Sequence, residues 1–381
     1  MFKILRISKK SKARIGRLKT RTGAIQTPFF MPVATRGALK HISSAEIKKL
    51  GARIILANTY HLLLRPGEKL VKKAGGLSRF MGWPGAILTD SGGFQIFSLS
   101  RARNKSGRSL AAVSDTGVEF SSYLDGRKFF LSPEEVIKIQ YQLGVDIAVC
   151  LDQCLALPAG RDTSAEAVCR TIKWAQQSKK FQSRLTAPKP LLFSVVQGGL
   201  DKDLRLGCLS DLKKIGFDGY NIGGLSVGES AQEMYEVLDY LVPAMPIDKP
   251  RYLMGVGYPE NILAAIKRGV DMFDCVIPTR EGRHGRLFLP RAQKRYLAAI
   301  DLKNSDFYTT INVNRAELAE DFSPISRFSR LPILRTASKA YLHHLLKIGE
   351  PLGQRLATLN NLEFYLRFLH IAREAIAKEI I

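Results

Sequence analysis

The chain has 381 residues, 45% hydrophobic and 24% charged, enough to bury one large core or two to three small ones. Its 58 lysines and arginines outnumber 34 acidic residues, giving +24 and a pI near 9.9, which points to a polyanionic partner, nucleic acid ahead of an anionic membrane. No run approaches the ~18 apolar residues of a membrane span, and the basic N-terminus (MFKILRISKKSKARIG) lacks a signal-peptide core, so a cytoplasmic enzyme is expected.

The first 24 residues alternate basic and apolar types and predict a short exposed sheet over one end of the core. Eight apolar runs then follow, each stopping at a polar or glycine cluster: 29–37, 53–60, 86–94, 146–154, 191–199, 218–225, 251–257 and 271–277. Most are separated by segments with 3.6-residue periodicity, such as SAEIKKLG and PENILAAIKRG. Ser132-Pro133-Glu134-Glu135 reads as an N-cap, a first-turn proline and a capping-box glutamate. Parallel strands buried on both faces read as such runs, and eight units over about 250 residues predict an α/β fold of the (β/α)8 TIM-barrel type. A doubly wound open sheet is the alternative, but no GxGxxG loop follows the first strand.

Residues 96–131 break the repeat. They hold a basic segment and a hairpin signal with Asp125-Gly126 as a two-residue turn, read as an insertion after the third strand. Beyond 300 the pattern changes again, to amphipathic helices near 335–348 and 353–379. The expected division is a catalytic barrel over 1–300 and a C-terminal helical subdomain over 301–381. The five cysteines (150, 154, 169, 208, 275) form no CxxC pair, which suits a reducing compartment and core or site-lining roles.

In such a barrel the functional side chains sit at the carboxyl ends of the strands. Those positions hold Asn58 and Thr59, Asp90 with Ser91-Gly92-Gly93, Asp152, Gln197 with Gly198-Gly199, Gly223-Gly224, Gly255 and Gly257, and Asp274. Three carboxylates converging on one mouth repel one another, and a ligand with donors is their natural partner. No histidine lies at a strand end, which disfavours a Ser-His-Asp arrangement and a multi-histidine metal centre. Carboxylates alone suit displacement at an acetal-like carbon, one as nucleophile and another as acid and then base. After Asp274 comes a turn with Arg280, Arg283 and Arg286. This reads either as a grip on a polyanion or as a solvated basic loop behind a structural aspartate. With the basic surface, the acetal carbon is expected to be that of a nucleoside.

The segments DSGGFQ (90–95), LDQC (151–154), VVQGG (195–199), NIGGLSVGE (221–229), YLMGVG (252–257) and FDCVIPTREGRHG (273–285) resemble the signatures of bacterial queuine tRNA-ribosyltransferase, or tRNA-guanine transglycosylase. The resemblance runs from RTGAIQTPFFMPV (21–33) to AYLHHL (340–345). It implies replacement of guanine at the wobble position of GUN anticodons by a 7-deazaguanine base, in bacteria usually the 7-aminomethyl form and otherwise queuine, in queuosine biosynthesis. By resemblance, Asp274 attacks ribose C1′ to give a covalent intermediate, and Asp90 is the general acid/base, oriented by Asn58. Asp152, Gln197 and Gly224 would read the guanine-like edge, with Ser91, Gly92, Gly93 and Phe94 completing the substrate site. Tyr252 and Met254 would sandwich the base, and Cys154 and Val227 would favour the small aminomethyl substituent. The segment Gly255-Val256-Gly257-Tyr258-Pro259-Glu260-Asn261 and the residues Thr279, Arg280, Glu281, Gly282 and Arg283 would grip the anticodon loop, whose target base must be splayed into the pocket. A homodimer is also implied.

One departure stands out. The family's structural zinc ligands, three cysteines and a histidine, fall on Ser329, Leu331, Leu334 and Asn360. Leucine offers no donor, so no zinc or other cofactor is expected, and Leu331, Ile333 and Leu334 are expected to fill the space as an apolar cluster. The alternatives are a tRNA-binding paralogue without catalysis, which the intact Asp90, Asp152, Gln197 and Asp274 disfavour, and a glycoside hydrolase, which leaves the +24 charge unexplained.

Overall fold

The computed structural model describes residues 2–95, 111–291, 302 and 306–381. Strands β1 (Phe2–Ile7), β2 (Arg14–Lys19) and β3 (Ala24–Thr27) form an antiparallel sheet. The predicted runs then appear as β4 (Phe29–Pro32), β5 (Ile54–Asn58) and β6 (Ala86–Asp90), and, after an insertion, β10 (Ile147–Val149), β11 (Leu191–Val196), β12 (Gly219–Ile222), β13 (Arg251–Leu253) and β14 (Met272–Cys275). They pair in the order β4-β14-β13-β12-β11-β10-β6-β5, all parallel. A parallel bridge between Val33 and Leu56 joins the two edges, so the sheet closes as a (β/α)8 barrel.

Alternation explains why the strands read as unbroken apolar runs. Met31, Leu56, Leu88, Val149, Val195 and Met272 fill the barrel interior, while Phe30, Ile55, Ile87, Ala148, Leu192 and Phe273 face the helices. Each buried Val, Leu, Ile, Phe or Met side chain among them contributes about 1.5–3 kcal/mol. The helix Pro133–Leu143 starts as predicted, with the Ser132 hydroxyl accepting from Glu135 N. Glu135 does not return the bond. It pairs with Lys138 at 3.0 Å, and the closed capping boxes are Ser43–Glu46 and Ser230–Glu233.

Only 111–131 of the insertion lies within the described residues; the basic segment and the proposed boundary at 300 lie outside them. Strands β7 (Ala111–Ser114), β8 (Gly117–Ser121) and β9 (Lys128–Leu131) make a three-stranded sheet. Its second hairpin is wider than predicted. Ser122 N donates to Arg127 O, so four residues turn the chain and Asp125-Gly126 are only its second half.

The N-terminal sheet is stitched across the barrel floor. Buried Arg14 pairs with buried Asp271 at 2.5 Å, and Asp146 accepts from Thr22 N at 2.8 Å and Ile87 N at 3.0 Å. Beyond β14 come the hairpin β15 (Arg286–Pro290) and β16 (Tyr308–Asn312), then helices Lys339–Lys347 and Pro351–Ala377. The long helix packs on β4 and on the helix Ile277–Arg283, where the backbone of Thr358 approaches so closely that a Cβ on Gly282 would lie 3.0 Å from it. Asn361 donates to Pro278 O and Arg286 O, and the Tyr365 hydroxyl to Gly257 O. Among the described residues, no helix is long and apolar enough to cross a membrane.

Candidate active site

Asn58 ends β5 and also caps the helix Thr59–Leu64, its amide oxygen accepting from His61 N at 3.1 Å. That bond fixes the amide, whose nitrogen donates to Asp90 Oδ2 at 2.5 Å on the neighbouring strand end. Thr59 N adds a bond to Asp90 Oδ1. Asp152, beyond β10, accepts from Ser91 Oγ at 3.1 Å and from Gln197 Nε2 at 2.7 Å. A Cβ on Gly93 would lie 2.7 Å from Asp152 O, so the turn after β6 needs a residue without a side chain there. Asp274, at the end of β14, accepts from the Tyr252 hydroxyl at 2.6 Å and Gly255 N at 2.8 Å.

Asp90, Asp152 and Asp274 line one cavity of about 520 Å³ at the barrel mouth, a size suited to a small molecule. All the hydrogen bonds to these three carboxylates given above come from neutral donors. Burial, then the nearby charges of Asp274 and Asp152, pushes Asp90 up to about 7. Burial also raises Asp152 and Asp274, despite their donors, and holds the Tyr252 phenol well above its ordinary range. A carboxyl that titrates near neutrality can both give and take a proton. A larger cleft of about 690 Å³ lies between the floor and the long helix, but its carboxylate, Glu363, is already bonded to the 329–330 segment.

Asn58, Phe94, Cys154, Gln197, Gly224, Val227 and Met254 share the cavity wall, with Gly255–Tyr258, Asn261 and Arg280 along one side. Ser91, Gly92 and Gly93 stand behind it. Several expected placements need correction. Tyr252 is fully buried and bonded to Asp274, so it cannot sandwich a base; Phe94, half exposed, faces the cavity with Met254. The expected turn after Asp274 is the helix Ile277–Arg283. Within it Thr279 and Gly282 are buried, and Arg283 donates to Thr279 O, so of Thr279, Arg280, Glu281, Gly282 and Arg283, Arg280 alone lines the cavity. Glu281 pairs with Arg280 and Arg286, Glu260 accepts from the Tyr308 hydroxyl, and Pro259 is buried at a helix start.

Two residues at the site escaped sequence reading. Glu229 accepts from Ser226 N and Val227 N, holding the loop in which Ser226 adopts φ +59°. It ends the quoted NIGGLSVGE segment, which was the available signal. Arg205 lies fully buried behind the glycine turns; in DKDLRLG it reads as an exposed helical arginine.

The positions implied for zinc do not offer a donor set. The Ser329 hydroxyl donates to Glu363, Asn360 Nδ2 donates to Phe288 O and Asn361 Oδ1, and two of the four are leucines. Among the described residues no three His, Cys, Asp or Glu side chains gather as metal ligands. Leu334 is buried in the core with Leu331 packed against it, Ile333 is 45% exposed but lines an apolar pocket with Leu331, Leu352, Leu356 and Leu359, and the Ser329–Glu363 pair lies beside them.

A closed parallel barrel with carboxylates gathered at the carboxyl ends of its strands defines a (β/α)8-barrel enzyme. The family model for queuine tRNA-ribosyltransferase matches residues 9–380, and the chain belongs to that family, the tRNA-guanine transglycosylases. A queuine tRNA-ribosyltransferase of Caldanaerobacter subterraneus subsp. tengcongensis is 46% identical over 378 residues, covering 99% of this chain and 94% of the relative. One from Desulforudis audaxviator is 45% identical over 379 residues (100% and 95%), and one from Solidesulfovibrio magneticus 46% over 364 (96% and 91%).

Proposed function

We propose that this chain replaces guanine at the wobble position of GUN-anticodon tRNAs with a 7-deazaguanine base, through a covalent enzyme–ribose intermediate. The observation that carries this reading is the pairing, in one cavity, of a carboxyl brought to about 7 (Asp90) with a second, Asp274, anchored by Tyr252 and Gly255. Asp274 attacks ribose C1′; the C1′–O bond forms, the C1′–N9 bond breaks, and protonated Asp90 supplies the proton that lets guanine leave neutral. The incoming base gives its N9 proton back to Asp90, its nitrogen attacks C1′, and Asp274 departs. Asp152, Gln197 and Gly224 read the guanine-like edge, since a buried polar set left unpaired penalises a wrong base heavily.

Cys154 and Val227 line the cavity, and by the family resemblance they would face the 7-substituent, which supports the 7-aminomethyl base over queuine. The chain works without zinc, because its C-terminal residues lack the donors. It acts as a homodimer, as the family resemblance implies, one subunit doing chemistry while the other holds the tRNA.

The test is to incubate the protein with a GUN tRNA and resolve the products under denaturing conditions. Wild type is expected to give an RNA–protein adduct that a wobble-substituted tRNA does not, and Asp274→Asn is expected to give none. A wild-type protein that never forms the adduct, yet exchanges the base, would overturn the mechanism.

A further inference from the structure

Arg205 sits in the first turn of the helix Lys202–Ile215 and has no exposed surface. Its side chain donates to main-chain carbonyls: Nε to Gly199 O at 2.5 Å, Nη1 to Gly223 O at 3.0 Å and Val196 O at 3.4 Å, and Nη2 to Gly224 O at 3.2 Å. Those carbonyls flank Gln197 on one strand end and form the Gly223-Gly224 turn on the next. An enclosed guanidinium is costly unless its donors are used, and here it spans the two turns that carry the base-reading groups. The fit is close. A Cβ on Gly224 would lie 2.4 Å from Gln197 Oε1, and one on Gly198 would lie 2.8 Å from Arg205 Cγ.

The carbonyl of Gly223 and the N–H of Gly224 belong to one resonant peptide unit. A cationic donor on that oxygen draws electron density from the nitrogen and strengthens its N–H as a donor. We infer that Arg205 is a positioning residue for base recognition: it fixes and polarises the Gly223-Gly224 peptide so that the Gly224 N–H holds the carbonyl oxygen of a 6-oxopurine. This rests on the proposed guanine-reading role of the pocket. A merely structural arginine would support the fold without favouring one purine edge over another.

The experiment compares guanine with 2-aminopurine, which lacks the 6-oxo group, as ligands for the full-length protein and its Arg205→Met and Arg205→Lys variants. Base binding is read by calorimetry, base KM and kcat by exchange on tRNA, and folding by circular dichroism. The expected result for both variants is a guanine affinity and a guanine preference each lowered roughly 10-fold or more, with kcat changed by less than about 3-fold and with lysine losing less than methionine. Folded variants that keep the wild-type guanine preference overturn the inference. Should Arg205→Met not fold, Arg205→Lys decides alone, because a single ammonium cannot span both turns. A wild-type protein indifferent to the 6-oxo group overturns the guanine reading itself, which is a distinguishable outcome.

Discussion

The two ends of the barrel treat the same residue type in opposite ways. On the floor, Asp271 has a buried arginine, Arg14, and Arg251 N as donors, and Asp146 is held by Thr22 and Ile87. At the mouth, Asp90, Asp152 and Asp274 hold neutral donors, and burial leaves all three reluctant to ionise. A floor aspartate is finished within the fold. A mouth aspartate is left electrostatically incomplete, ready for a ligand to complete it.

The contrast breaks if mutating the mouth harms folding more than activity. Asp90→Asn is expected to slow base exchange on the order of 10²–10⁴-fold, as loss of a general acid/base does, measured with radiolabelled guanine on a GUN tRNA; a near-normal rate would remove Asp90 from the chemistry. The mirror experiment is Arg14→Leu, which strands the buried Asp271 carboxylate. It is expected to lower stability by about 3–5 kcal/mol in urea unfolding, while the base KM of the surviving folded enzyme stays at the wild-type value.

A smaller effect sharpens the comparison through pH. Because the folded-state value for Asp90 lies above the unfolded one, the native state binds the proton more tightly, and wild type loses stability as pH rises from about 4 to about 7. Asp90→Asn has no such proton to lose. It is expected to be more stable than wild type by about 1–2 kcal/mol at pH 8 and nearly equal at pH 4, by urea melts at the two values. If Asp90 is the proposed general acid, adduct formation in wild type should fall above about pH 7, where Asp90 loses its proton. Smallest of all, Glu363→Gln, which weakens the bonds to Ser329 and Arg330 N, is expected to cost about 1 kcal/mol with no change in bound metal by elemental analysis.

Much of this was legible in the sequence because parallel barrel strands are apolar on both faces, and their ends announce themselves as a break into Asp, Gln or Gly. Asn58, Asp90 and Asp274 were readable for that reason. What was not legible depends on partners far along the chain. Tyr252 looks like a base-stacking aromatic until Asp274, 22 residues away, claims its hydroxyl. Thr279 and Gly282 look like loop residues until the long helix arrives against them. Arg205 carries a charge that no periodicity can place inside. The Asp125-Gly126 dipeptide suits a two-residue turn, but the register set by Ser121 opposite Lys128 needs more chain to close.

The long helix also has a temporal meaning. Residues 351–377 emerge from the ribosome well after Gly257 and Pro278, yet Tyr365 and Asn361 tether those two backbone positions beside the barrel mouth. A nascent chain therefore holds its mouth aspartates before the rim around them is fastened. Competence is expected to wait for this helix to dock, and a shortened chain ending near 350 should remain inert towards RNA however well its barrel forms.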